Sequence, residues 1–224
     1  MKSNYFYQVV SFKEKLIFLT PPKCSTYSLN KFLVDSNVSL NNPINHPQHP
    51  FYHPTLKEII QAYNISNIKE YKIIQIVRNP YDRFISSYVH EQKLLKKSLN
   101  LDNYISQIEQ YKSLLPNNID KFYKDFYQTL EYKNFYYKEN SWGGLRFYFE
   151  QNWWNDLNKN ISFFKLENIK LDSSNLCNFL SVKLLSYPHI NNLKYDPIYL
   201  SKTQKEKIYN LFKKDFKMFN YEKF

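Results

Sequence analysis

Glycine is nearly absent: the 224 residues contain two, and they are neighbours, Gly143 and Gly144. A chain this poor in glycine has no Gly-x-x-x-x-Gly-Lys-Ser/Thr loop, which speaks against a nucleoside triphosphate site and a phosphotransferase. Cysteine is as scarce, with only Cys24 and Cys177. That excludes a disulfide framework and a four-thiolate zinc site, and leaves a single bridge open. No apolar run is long enough to span a bilayer, and Met1 to Tyr7 carry no apolar signal core. The expectation is a soluble, cytoplasmic protein with no transmembrane segment. RNP, zinc-finger and helix-turn-helix signatures are missing, so no nucleic-acid partner is expected despite the charge. Internal repeats, low-complexity tails and linkers are missing too, and the length suits one domain over residues 1–224.

What is abundant is aromatic and basic. Tyr, Phe and Trp make up 19% of the chain, so the core is expected to be built heavily from Tyr and Phe, with Trp142, Trp153 and Trp154 read as core residues. A net charge of +11 favours an anionic partner. Charge alone does not choose among a phosphorylated donor, an acidic glycan, nucleic acid and a membrane surface.

Tyr5 to Val10 and Leu16 to Leu19 read as short strands around the charged turn Lys13-Glu14-Lys15. Thr20-Pro21-Pro22-Lys23-Cys24-Ser25-Thr26-Tyr27-Ser28 follows, then a helical stripe of Leu29, Phe32 and Leu33. Lys23 therefore lies in a loop between a strand and a helix. Orphan amides at the helix start, its dipole and the hydroxyls of Ser25, Thr26 and Ser28 make an anion site there. The competing reading is that Ser25 and Thr26 only cap the helix.

Farther on, Ile73, Ile74, Ile76 and Val77 suit a strand buried on both faces of a parallel sheet. Asn79-Pro80 ends it and starts a helix from Pro80 to Leu95. Arg78 then sits at the carboxyl end of a strand, where open α/β sheets bind ligands. Ser86 follows two helical turns on, which suits guanidinium and hydroxyl to one phosphate. Later segments read as a helical stretch from Asn100 to Glu139 with a break at Leu115 to Asn118, a buried strand Ile161 to Leu166, a helix Ser173 to Leu180 and a final helix Lys202 to Phe219.

The run Arg78-Asn79-Pro80-Tyr81-Asp82-Arg83-Phe84-Ile85-Ser86-Ser87-Tyr88 resembles the 3'-phosphate segment of the sulfotransferases that use 3'-phosphoadenosine 5'-phosphosulfate (PAPS). Fifty-five residues upstream, Pro22-Lys23-Cys24-Ser25-Thr26-Tyr27-Ser28 resembles their 5'-phosphosulfate loop, commonly Pro-Lys-Thr-Gly-Thr-Thr. This loop departs from that pattern in lacking glycine and in placing Tyr27 where a threonine is usual. His53-Pro54-Thr55 through Glu58-Ile59 is similar to a segment that precedes the Arg-Asn-Pro strand in many carbohydrate and bacterial members. Glu167-Asn168-Ile169 and the Pro188 to Asn192 loop are similar to late family segments.

The resemblance implies an α/β fold: a single three-layer domain with a short central parallel sheet, P-loop-like. It implies transfer of a sulfuryl group from PAPS to a hydroxyl, leaving 3'-phosphoadenosine 5'-phosphate, with no metal. Lys23 would stabilise charge on the phosphosulfate and His53 would take the acceptor proton, with Glu58 as the alternative base. Lys23, Cys24, Ser25, Thr26, Tyr27, Ser28, Arg78, Ser86 and Lys194 would hold the donor. The expected acceptor is a carbohydrate, an oligosaccharide or glycan. A phosphotransferase or a binding-only relative of the sulfotransferases stands as the alternative. His46, His49 and His53 share one loop, Asn41 to Pro54, but that loop holds no carboxylate to complete a metal site.

Overall fold

A computed structural model describes residues 9–42, 53–95, 100–114, 150–155, 160–169, 173–183, 186–188 and 196–223. The chain divides into two compact units, Met1–Asn79 with Trp154–Lys194, and Pro80–Trp153 with Tyr195–Phe224.

The first unit is built on a mixed sheet of four strands in the order β1-β2-β3-β4. These are β1 (Val10–Ser11), β2 (Leu16–Leu19), β3 (Lys72–Val77) and β4 (Ile161–Lys165). The parallel sheet expected from the sequence is β2-β3-β4, and β1 adds an antiparallel edge, Val10 opposite Ile17. The charged turn between β1 and β2 closes at Lys15, which takes a left-handed φ of 53°. Of the strand expected over Tyr5 to Val10, only Val10 joins β1; residues 1–8 lie outside the described chain.

Residues Ile73 to Val77 are all buried, as are the four residues of β2, so both central strands are covered on two faces and, Gln75 apart, apolar. Burying one such side chain contributes about 1.5–3 kcal/mol. β4 departs from the expected buried strand. It pairs only with β3 among the described strands, its residues are half-buried, and Phe163 is 39% exposed. An edge position explains why an apolar run of the same type ends up wetter.

Helix α1 (Thr26–Asp35) follows β2 and buries Leu29, Phe32 and Leu33, the stripe expected from the sequence. Helix α2 (Leu56–Ala62) is started by a capping box: Thr55 Oγ1 accepts the Glu58 N–H, and Glu58 Oε2 accepts the Thr55 N–H at 2.7 Å. Helix α5 (Ser173–Leu180) buries Leu176, Cys177 and Leu180. Trp154 is fully buried and donates its indole N–H to the His53 carbonyl. Cys24 and Cys177 are both buried free thiols, so they do not bridge.

The second unit packs helices α3 (Pro80–Leu95), α4 (Leu101–Leu114), α6 (Lys202–Leu211) and α7 (Lys213–Met218). Phe84 meets Tyr104 and Phe212 edge-on, and Phe216 meets Tyr81 and Tyr209, an aromatic core as composition requires. The single final helix expected over Lys202 to Phe219 is instead two helices broken at Phe212, whose φ of −120° leaves the helical range. Three contacts at this point account for the break. The Lys112 ammonium bonds the Leu211 carbonyl and lies over the Phe212 ring at 4.7 Å, with Arg83 also against that ring. Past the break, fully buried Asp215 accepts the backbone N–H groups of Gln151 (2.7 Å) and Asn152 (3.1 Å).

Trp142, Gly143, Gly144 and the part of the expected helical stretch from Leu115 to Glu139 lie outside the described residues. Trp153 is half-buried.

Burial pushes the Asp215 carboxyl up to about 6, against the pull of Arg83 and the Gln151 amide. The folded protein therefore binds more protons than the unfolded one between about pH 4 and 6, so Asp215 stabilises most at low pH and less as pH rises through 6. Asp215→Ala strands two buried amides and should cost about 2 kcal/mol in urea unfolding at neutral pH, with a larger gap from wild type at pH 4.

Candidate active site

The parallel register of β2, β3 and β4 decides where the site lies. Leu19 stands opposite Gln75, and Val77 opposite Lys165, so the chain leaves all three strands at the same edge. The segments that follow are Thr20 to Ser25, Arg78-Asn79 and Leu166 to Ile169. Hydrogen bonds tie them together. Arg78 Nη1 donates to the Lys23 carbonyl at 3.3 Å, the Leu166 N–H to the Val77 carbonyl at 2.8 Å, and the Asn79 N–H to Glu167 Oε1 at 2.6 Å. Glu167 thus fixes the backbone immediately after Arg78.

In the loop after β2, Pro21 and Pro22 are buried, and the Cys24 N–H closes a turn on the Pro21 carbonyl at 3.2 Å. Lys23 and Ser25 both adopt left-handed backbone, with φ of 65° and 67°. Ser25 holds the position that glycine occupies in the pattern Pro-Lys-Thr-Gly-Thr-Thr. It takes the conformation glycine favours at the cost of its Cβ, roughly 1–2 kcal/mol. Left-handed residues interspersed in a turn are the backbone ingredient of anion-binding nests.

Ser25 is the N-cap of α1 but makes no capping side-chain bond, which disposes of its reading as a mere cap. Thr26 begins the helix; its Oγ1 is buried and finds no hydrogen-bond partner among the described residues, as is true of Thr20 Oγ1 at the head of the loop. A buried hydroxyl without a partner costs about 1–3 kcal/mol, so both groups would gain from an anion's oxygens. Ser28 is buried, Cys24 turns its thiol back towards the Pro22 carbonyl, and Tyr27 is 53% exposed.

Lys23 is half-buried. Burial, and after it the Arg78 guanidinium, bring its pKa down to about 8, an effect that Cys24 partly opposes. A cation held against burial and beside a second cation is a site short of negative charge.

His53 reaches the same loop from the other side of α1 in sequence. Its Nδ1 lies 2.6 Å from the Thr20 carbonyl, and its own carbonyl is held by Trp154. Because a carbonyl can only accept, Nδ1 carries the proton, and in the neutral ring the lone pair belongs to Nε2. That tautomer is the one a base needs when it works through Nε2. Glu58, the alternative base, has its carboxylate in the capping box of α2.

Lys23, Arg78 and His53 therefore share one strand edge of one unit. Ser86 is a half-buried residue of α3 in the second unit, and Lys194, like His46 and His49, lies outside the described residues. Two residues not assigned from the sequence belong to the site's frame. Thr20 sits in the loop already singled out. Tyr187, from a segment 162 residues later, places its hydroxyl 3.4 Å from the Ser25 carbonyl, a contact for which no local signal exists. Among the described residues no group of three or more His, Cys, Asp or Glu side chains forms a metal-ligand set, and no helix is long and apolar enough to cross a membrane.

A model of the sulfotransferase family matches residues 8–222, and the chain belongs to that family. The crystal structure of a sulfotransferase from Alicyclobacillus acidocaldarius is similar with 14% identity and a TM-score of 0.46, over 90% of this chain and 92% of that one. No curated protein matches the sequence. The chemistry of the family is transfer of a sulfuryl group.

The depressed Lys23 opposes folding while it is charged, and that opposition fades as pH rises from about 8 towards its unfolded value of 10.5. Lys23→Met should therefore be at least as stable as wild type in urea unfolding at pH 7, with any gain shrinking by pH 10.

Proposed function

We propose that this protein moves the sulfuryl group of PAPS to a hydroxyl of a carbohydrate acceptor. The observation that carries the reading is the gathering of Lys23, Arg78 and His53 at the carboxyl edge of β2 and β3, next to a loop whose hydroxyls of Thr20 and Thr26 are buried without partners among the described residues. These residues fit an anionic phosphosulfate: two cations, the start of α1 and two hydroxyls unsatisfied among the described residues. One family model runs through both units, which supports a single sulfotransferase domain over residues 1–224.

The donor supplies a sulfuryl group on an activated anhydride. Lys23 and the amides at the start of α1 bind the bridging and phosphate oxygens and stabilise the charge that gathers there on transfer. Arg78 presents a planar fork to the 3'-phosphate, and the sequence pattern adds the Ser86 hydroxyl and Lys194 as further donor ligands. His53 holds its Nδ1 proton on the Thr20 carbonyl and accepts the acceptor's proton at Nε2 as the new S–O bond forms. An excess of 11 positive charges favours an acidic glycan among carbohydrate acceptors.

Calorimetry with 3'-phosphoadenosine 5'-phosphate, 5'-AMP and ATP tests the reading. The 3'-phosphorylated nucleotide should bind at least tenfold more tightly than either competitor, and Arg78→Ala should erase that margin. Equal affinity for ATP would favour a phosphotransferase. Nucleotide preference without transfer to any glycan would favour a binding-only relative.

Affinity for the donor should fall as pH rises through about 8, where Lys23 loses its proton in the free protein. His53→Ala should leave nucleotide affinity within about twofold and lower kcat by roughly 10²–10⁴.

A further inference from the structure

The loop that carries Lys23 lacks the glycine its shape calls for, and the structure supplies a substitute elsewhere. Ser25 sits at φ 67° and ψ 34°, well inside the left-handed region. Its carbonyl accepts the Leu29 N–H at 2.9 Å, the first turn of α1, and also lies 3.4 Å from the Tyr187 hydroxyl. The same hydroxyl is 3.5 Å from Ser25 Oγ. Tyr187 is 5% exposed, and its ring lies 5.5 Å from that of Phe32, one of the buried residues of α1. Ring and hydroxyl together hold the N-cap residue and the body of the helix.

We propose that Tyr187 is a positioning residue for the donor loop: its hydroxyl holds Ser25 in the left-handed conformation and so keeps Lys23 and the first amides of α1 in place. The inference rests on the function proposed above for what the loop binds, but not for the clamp itself. A serine in this conformation is disfavoured by its Cβ, so without an outside partner the loop relaxes towards extended backbone. A carbonyl that already accepts the helix's first bond has one lone pair left, and the Tyr187 hydroxyl fills it. The Tyr187 segment, Ser186 to Pro188, thereby orders a loop it shares no sequence neighbourhood with.

The test uses Tyr187→Phe, which keeps the ring on Phe32 and removes only the hydroxyl, together with Ser25→Gly, which removes the penalty the hydroxyl offsets. Hydrogen exchange of the ligand-free protein comes first. Tyr187→Phe should speed exchange of the Thr26 to Leu29 amides about fivefold and leave those of β3 unchanged. In the Ser25→Gly background the same substitution should change exchange by less than about twofold. Binding of 3'-phosphoadenosine 5'-phosphate should weaken about tenfold in Tyr187→Phe, and by less than about twofold when the same substitution is made in the Ser25→Gly background and compared with that background, with kcat under saturating donor affected less than KM.

Unchanged exchange at α1 would overturn the proposal. So would a uniform rise across the unit with a lowered melting temperature, or an equal defect in both backgrounds, since each would make Tyr187 an ordinary core residue. If wild type binds no 3'-phosphorylated nucleotide, the functional reading fails while the exchange data still judge the clamp.

Discussion

Parallel pairing of β2 with β3 is the constraint on which the site depends. Because Leu19 stands beside Gln75, both strands end at one edge, and the two chain segments that carry cationic side chains are delivered side by side. Burial of Ile73 to Val77 beside the four buried residues of β2 anchors this pairing, and with it the placement of the loops. The Arg78 bond to the Lys23 carbonyl then links segments 55 residues apart with one contact. Burial, and after it the second positive charge that this bond keeps close, lowers the pKa of Lys23 and leaves the edge in want of an anion.

Most of this was legible because it rests on local patterns. Strand β2, helix α3 and helix α5 end at the residues that apolar runs and Pro80 mark, and the strand-loop-helix order around Lys23 and Arg78 follows from them. What could not be read came from long-range contacts. β4 is an apolar run like β3, but it stands at the end of the order of described strands and is half-buried. The break at Phe212 depends on Lys112, about a hundred residues away, taking the carbonyl that would have continued the helix. Amphipathic periodicity runs straight through that point, because Ile208, Phe212, Phe216 and Phe219 are buried on either side of it.

The candidate site divides along the same line. Lys23, Arg78 and His53 stand out by motif, and the structure places all three at one strand edge. The state of His53 is another matter: its tautomer is set by the Thr20 carbonyl, 33 residues away in sequence. Likewise, Ser25 reads from the sequence as a cap or a phosphate ligand. Its distinctive property is a backbone angle, which no side-chain pattern announces.

Shortage of glycine reaches beyond the donor loop. Seven described residues take positive φ without being glycine: Lys15, Lys23, Ser25, Asn37, Asn64, Ser181 and Asn220. Each carries strain in the folded chain that glycine would not, yet each also has a Cβ that narrows what the unfolded chain can explore. The two effects oppose, so turns of this kind are bent at some enthalpic expense but lose less entropy on folding. A protein built this way has turns that are stiff before they are ordered, and its loops reach their bound shape with less left to freeze.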